Sequence, residues 1–249
     1  MKIQLIRNAT LRLQYAGLQL LTDPYLAAKH SRPSFTGKSL NPLVDLPIPP
    51  GEVIAGVDAV LVSHLHSDHF DPAARDLLPK NTPILCQSGD ETQLAEMGFQ
   101  QVTPIGDSLT WRGITITRIT GQHGSGDVLK DMGMASGFVL QSVSEPTVYW
   151  AGDTIWSDTV AAAIARYQPQ IILTHSCGAV WGKNVLIIMD AAQTVEVCRS
   201  APESTVVAIH MEVLDHATVS RAELRQYASD HGVKPGQLLI PADGETLTF

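Results

Sequence analysis

Cysteine is scarce in this chain and offers no pairing pattern. The three residues, Cys86, Cys177 and Cys198, are odd in number and widely spaced. No CxxC occurs, so neither a zinc knuckle nor a vicinal redox pair is indicated. Cys86 and Cys198 sit among apolar neighbours and read as small buried hydrophobes. Positive charge is also short, with 17 Lys and Arg against 25 Asp and Glu and a net charge of −8. That balance gives no general attraction to nucleic acid or to an anionic membrane. No apolar run reaches transmembrane length, and residues 1–7 are too short and interrupted for a signal-peptide core. A reducing cytoplasm is the compartment expected. No Pro/Gly/Ser-rich linker, charge block or short repeat divides the sequence, so one domain over residues 1–249 is expected. Its 44 % apolar content is ample for a sizeable core.

Hydrophobic patterning predicts strands over residues 3–6, 11–15 and 18–21, the last ended by Thr22-Asp23-Pro24. Residues 27–51 carry Pro33, Pro42, Pro47, Pro49, Pro50, Gly37 and Gly51 and predict a long irregular loop. A loop of that length is ordinarily functional or disordered. Strand 58–63, helix 72–78, strand 83–86 and helix 90–97 follow, then hairpin-like strands within 101–120, 135–143 and 147–151. Beyond these the pattern alternates helix 158–167, strand 170–174, helix 189–200, strand 204–209 and helix 218–230, closing with 237–241 and 245–249. Periodicity supports an α/β fold with sheets covered by helices.

The densest chemistry lies in Ser63-His64-Leu65-His66-Ser67-Asp68-His69, directly after the apolar run 57–62. His64 and His66 are two apart, so extended backbone points both imidazoles to one side. Asp68 and His69 follow where the chain must turn before Asp71-Pro72. A lone His at a strand end is ordinarily a surface or hydrogen-bonded residue. Three His and an Asp in six positions, packed without a cation, would crowd titratable groups that are hard to satisfy. One tetrahedral ion does not need so many groups from one loop, whereas two adjacent ions do.

Further along, His123 stands in Thr120-Gly121-Gln122-His123-Gly124, Asp153 in the stretch VYWAGDTIW, and His210 directly after residues 206–209, each closing a strand-like segment. The HxHxDH string with these three followers resembles the metallo-β-lactamase superfamily of binuclear metallohydrolases. The resemblance implies a four-layer αββα sandwich with the ligands at one edge of two sheets. It implies one metal held by His64, His66 and His123, a second by Asp68, His69 and His210, and Asp153 as the bridge. Zinc is the ion expected of so many imidazoles, with manganese or iron also compatible. The implied chemistry is hydrolysis by a metal-bridging hydroxide, with Asp68 orienting the nucleophile or moving its proton. Diiron oxygen chemistry in the superfamily comes with a Glu in the first motif and a flavin domain. His66 occupies that position here, and redox function is not expected. The stretches LLTDPYL and VYWAGDTIW look like the subgroup of ascorbate 6-phosphate lactonase and N-acyl phosphatidylethanolamine phospholipase D, whose members hydrolyse lactones or phosphodiesters.

Other residues admit two readings. Asp23 is either a turn residue or a carboxylate that orients a ligating imidazole. His175 closes a strand and is either a proton donor to a leaving group or a structural imidazole. His216 is a substrate contact or, again, structural. His30 and His231 read as solvated, and Lys183 and Arg32 as anion clamps or solvated side chains. The expected function is hydrolysis of a small-molecule ester, lactone or amide-type bond. The alternatives are a phosphodiesterase and, in a different class, a non-catalytic metal-binding sensor or scaffold. A tRNA-processing nuclease would need a basic clamp that is not apparent. A small-molecule substrate is the expected partner, with a homo-oligomer possible. Substrate choice is expected to lie in residues 27–51 and 174–188.

Overall fold

The computed structural model describes residues 1–249. Its first sheet opens with the antiparallel strands β1 (Lys2–Arg7), β2 (Thr10–Tyr15) and β3 (Leu18–Thr22). The parallel strands β4 (Ala59–Val62), β5 (Ile84–Gln87) and β6 (Val102–Ile105) continue it. Helices α1 (Pro50–Ile54), α2 (Pro72–Leu77) and α3 (Glu91–Glu96) fill the crossovers. The second sheet repeats that plan. Antiparallel β7 (Ser108–Trp111), β8 (Ile114–Thr120), β9 (Ser136–Ser142) and β10 (Glu145–Trp150) come first, with α4 (Val128–Met132) before β9. After α5 (Asp158–Tyr167) comes β11 (Ile171–His175), then a separate hairpin of β12 (Val180–Trp181) and β13 (Val185–Leu186). Next are α6 (Ala191–Ser200), β14 (Thr205–Ile209), α7 (Arg221–Asp230) and β15 (Leu238–Leu239), with β14 and β15 parallel to β11. The last strand, β16 (Thr246–Thr248), crosses back to pair with β1.

Alternation along the strands explains why the sheets stack. In β4, Ala59 and Leu61 join a cluster of 20 buried residues drawn equally from both sheets, with Trp150, Phe138 and Tyr15 its bulkiest members. Val60 and Val62 face the other way, onto Val53 of α1, Ala74 of α2 and Leu94 of α3. Such a strand is buried on both faces and reads as a continuous apolar run. On the second sheet, Tyr149, Ile172 and Val206 pack outward against Val160 and Ile164 of α5 and Val197 of α6. Helices, two sheets and helices again make the expected four-layer αββα sandwich. Each aliphatic side chain taken from water into these layers contributes roughly 1.5–3 kcal/mol.

The hairpin-like segment 101–120 is not one hairpin. β6 ends the first sheet, and the chain steps at Gly106-Asp107 to begin the second with β7. The short elements α1, α4 and the β12–β13 hairpin carry too few residues for periodicity to reveal them. Residues 27–51 hold an irregular course that is pinned from below. The buried Arg7 donates from Nη2 to the carbonyls of Tyr25 (2.9 Å) and Ala27 (2.8 Å), and from Nη1 to that of Val44 (3.0 Å).

Candidate metal centre

β8, β10, β11 and β14 run in one direction, so their C-terminal ends share an edge of the second sheet. His123, Asp153 and His210 follow β8, β10 and β14 at that edge, and the loop after β4 brings His64, His66, Asp68 and His69 from the first sheet. Open α/β sheets characteristically place sites at such ends. Gly152 lets Asp153 enter, because it has φ 68° and a Cβ there would collide with the Ser136 carbonyl oxygen. His210 itself lies in the left-handed region at φ 62°, uncommon for a bulky residue, and its N–H donates to the Asn8 carbonyl at 3.0 Å. The Asn8 side chain donates in turn to the Asp68 carbonyl at 2.9 Å, tying the two ligand loops together.

The spacing of the donor atoms is informative. Asp68 Oδ2, His69 Nε2 and His210 Nε2 form a triangle with edges of 3.4, 3.3 and 3.3 Å. Donors bound about 2.0–2.1 Å from a tetrahedral ion stand roughly 3.3–3.4 Å apart. Asp153 Oδ2 lies 3.2 Å from His69 Nε2, 3.4 Å from His123 Nε2 and 3.8 Å from His64 Nε2, so one oxygen borders both groups of ligands. The ligand atoms of His64, His66 and His123 all lie within 4.8 Å of one another.

Outer hydrogen bonds set the tautomers. His69 Nδ1 donates to Asp23 Oδ2 at 2.6 Å, and His123 Nδ1 donates to the Ile187 carbonyl at 2.9 Å. Ser63 Oγ gives its proton to Asp23 (2.5 Å) and so accepts from His64 Nδ1 (2.9 Å). His210 Nδ1 faces the Cys177 sulfur at 3.4 Å. The Nε2 atoms are thereby left pointing inward, and His64 Nε2 is a buried nitrogen with no hydrogen-bond partner. Such fixed imidazoles are what a divalent cation needs. Burial opposes ionisation of Asp68 and Asp153, yet the surrounding imidazoles hold both carboxyls well below the usual range. Burial likewise disfavours charge on His69 and His210. In the metal-free protein, Asp153, Asp68 and Asp23 outweigh it at His69, and Cys177, Asp153 and Asp68 outweigh it at His210. His69 is raised well above its ordinary value and His210 to about 10.

The structure brings all seven expected ligands together and places Asp23 directly behind His69. His175 stands elsewhere than a proton donor to a leaving group would. It is fully buried, outside the cavity lining, with both nitrogens engaged. The Trp150 indole N–H donates to Nε2 at 2.9 Å, so the proton sits on Nδ1 and is given to Asp153 Oδ1 at 2.5 Å. Burial lowers its pKa to about 4, so the ring is neutral. Although His175 lies near His69, Asp153 and His210, it has no free lone pair for a cation. It orients Asp153 instead.

A cavity of about 210 Å³ opens onto the donors, lined by His66, Asp68, His123 and Asp153 and walled by Phe35, Asp131, Met132, Trp181, Ile187 and His216. His216 is 7 % exposed, and its Nδ1 has no hydrogen-bond partner. Lys183 and Arg32 are outside the lining, and His30 and His231 are exposed. The segments 27–51 and 174–188 expected to select the substrate do supply Phe35, Trp181 and Ile187, but sequence reasoning gave no individual role to these or to Asn8, Ser63, Cys177 and Asp131. Only Ser63, adjoining the His cluster, had a neighbour in sequence that marked it.

Fold and donor set together define a metal-dependent hydrolase. The profile of the β-lactamase superfamily domain matches residues 19–211. The UPF0173 protein YddR of Bacillus subtilis (strain 168) is 36 % identical over 100 % of both chains. A UPF0173 metal-dependent hydrolase of Methanocaldococcus jannaschii is 28 % identical, covering 83 % of this chain and 89 % of its own. Among solved structures, the isothiocyanate hydrolase from Delia radicum gut bacteria superposes with a TM-score of 0.93 at 38 % identity, covering 100 % of this chain and 99 % of its own. The chain belongs to the metallo-β-lactamase superfamily and, within it, to the UPF0173 family of metal-dependent hydrolases.

Proposed function

We propose that this hydrolase holds two divalent cations and cleaves a small, uncharged substrate at an electrophilic carbon. The observation that supports this most directly is the convergence of imidazole nitrogens and carboxylate oxygens, at coordination spacing, beside a cavity with no Lys or Arg in its lining. His64, His66 and His123 would hold one ion, Asp68, His69 and His210 the other, and Asp153 both. So many imidazoles favour zinc, and the carboxylates leave manganese or iron compatible. Bound there, the pair supplies a hydrolytic nucleophile at neutral pH and an electrophile for the developing negative charge. The protein's own groups do the rest. Asp68 orients the nucleophile from the cavity floor, while His175 and Trp150 keep Asp153 in place. His216 meets the departing heteroatom, and Phe35, Met132, Trp181 and Ile187 exclude water from the substituent. The shared inter-sheet core supports a single catalytic unit over residues 1–249. Three unpaired thiols accord with a reducing compartment.

The lining distinguishes between substrates. Asp68, Asp131 and Asp153 face the cavity, so beyond the proposed cations no side chain of the lining offers a phosphate a counter-charge. That argues against a phosphodiester, and against the phosphorylated lactone of the subgroup that LLTDPYL and VYWAGDTIW resemble. Esters, lactones, amide-type bonds and the isothiocyanate carbon remain. The isothiocyanate is favoured by the relative named for that activity. The net reaction would be R–N=C=S + H2O → R–NH2 + COS. Zinc-reconstituted protein, assayed for bound metal and for turnover of allyl isothiocyanate, a γ-lactone and bis-p-nitrophenyl phosphate, tests this. Two metals per chain with turnover at carbon and none at phosphorus is expected. Preferential phosphodiester cleavage would overturn the reading.

A further inference from the structure

A second cavity, about 460 Å³, lies against the first, and Phe35, Trp181 and His216 line both. The Phe35 ring meets that of His216 edge-on, centroids 4.8 Å apart at 77°. Phe35 belongs to the irregular segment after β3, so no strand or helix fixes it. Asp215 does. Its carboxylate accepts from Ser34 Oγ, from Phe35 N (3.0 Å), from Thr36 N (3.1 Å) and Oγ1 (2.6 Å), and from Asn41 Nδ2 (3.0 Å). Asn41 Oδ1 accepts the Asp215 N–H at 2.9 Å in return. The residue preceding His216 therefore sets where Phe35 stands, and the two rings are held as a pair.

We propose that Phe35 determines substrate selectivity, as an aromatic partition between the reaction cavity and a distal subsite that takes the far end of longer substrates. The distal lining mixes Val180 and Ala217 with Thr36, Asn184, Thr218 and Lys38, which suits a substituent ending in a hydrogen-bonding group. The small reaction cavity alone accommodates short substituents, and a longer one must displace the ring. The substrate named here rests on the hydrolytic reading above, whereas the partition rests on geometry.

The test compares wild type, Phe35→Leu and Phe35→Ala on isothiocyanates from allyl to phenethyl. In parallel, calorimetry measures the affinity of the zinc-loaded proteins for alkyl hydroxamates of increasing length, which needs no turnover. In Phe35→Ala the KM and Kd of the longest member should fall about tenfold relative to the shortest, the scale of a methylene or two in an apolar pocket. The kcat ratio should change little, and Phe35→Leu should lie between. Asp215→Asn should give part of the same shift by loosening the loop. An unchanged length profile in Phe35→Ala with wild-type circular dichroism and metal content would overturn the partition. If Phe35→Ala does not fold, Phe35→Leu and Trp181→Ala decide the matter by the same profile. A shifted hydroxamate profile without isothiocyanate turnover would refute the substrate and leave the partition standing.

Discussion

The two sheets grip the metal site with different chemistry. On the first, Asp23 is hydrogen-bonded directly to His69 and, through Ser63, to His64. On the second, His123 leans on a carbonyl, His210 on a thiol sulfur and Asp153 on a neutral imidazole. A carboxylate behind an imidazole raises its basicity as a ligand more than a neutral acceptor does. Each of the proposed cations thus has one imidazole backed by a carboxylate, His64 or His69, and at least one that is not. The first sheet acts as the firm jaw and the second as the softer one.

The substitution expected to act most strongly removes the group both jaws share. Asp153→Ala should lower turnover by at least about 10³-fold and reduce bound metal below two per chain, read by kinetics and elemental analysis. Undiminished turnover would contradict the bridge.

Titration probes the jaws next. The raised pKa values of His69 and His210 mean that metal-free protein carries protons there at pH 7. Cation uptake must expel them, so affinity should rise about tenfold per pH unit for each proton displaced, between pH 6 and 9. Calorimetry in buffers of different ionisation enthalpy counts those protons. The stability linkage runs the opposite way. A folded-state pKa of about 10 at His210 against an ordinary 6.5 gives stabilisation that is full below pH 6.5 and lost as pH rises through 10. The melting temperature of the metal-free protein should therefore fall over that window.

Asp23→Asn should weaken metal affinity by about 10- to 100-fold, affecting both ions, because His64 and His69 both depend on it. Cys177→Ala should cost less than about tenfold, through His210 alone. Equal losses in the two variants, measured by competition with a chelator, would abolish the distinction between the jaws.

Much of this was visible in the chain, for physical reasons that also mark the boundary. Metal ligation demands particular side chains at strand ends, so His64 to His69, His123, Asp153 and His210 carried their own signal. The helix expected over 158–167 is α5, because ten residues of amphipathic pattern suffice to define it. His175 was legible and was read only in part. Ile171 and Leu173 face the inter-sheet core, and a period of two sends His175 the same way, into the interior beside Trp150. The cavity walls were legible only as regions: 27–51 and 174–188 were expected to select the substrate and hold Phe35 and Trp181, but no pattern marked the individual residues. Phe35 lies in the irregular segment after β3, Asp131 in α4 and Trp181 in β12, and only tertiary packing brings them together. Asn8 was equally silent, since its role depends on two carbonyl geometries that no spacing encodes.

The return of β16 to the side of β1 has a bearing on how the molecule is made. During synthesis β1 keeps one edge unpaired until β16 has been made. The His64 to His69 loop is made long before His210. A cation captured early meets only half of its coordination sphere and can leave again. Durable loading of the proposed site would therefore follow the arrival of His210, and metal retention would report that the two sheets have come together.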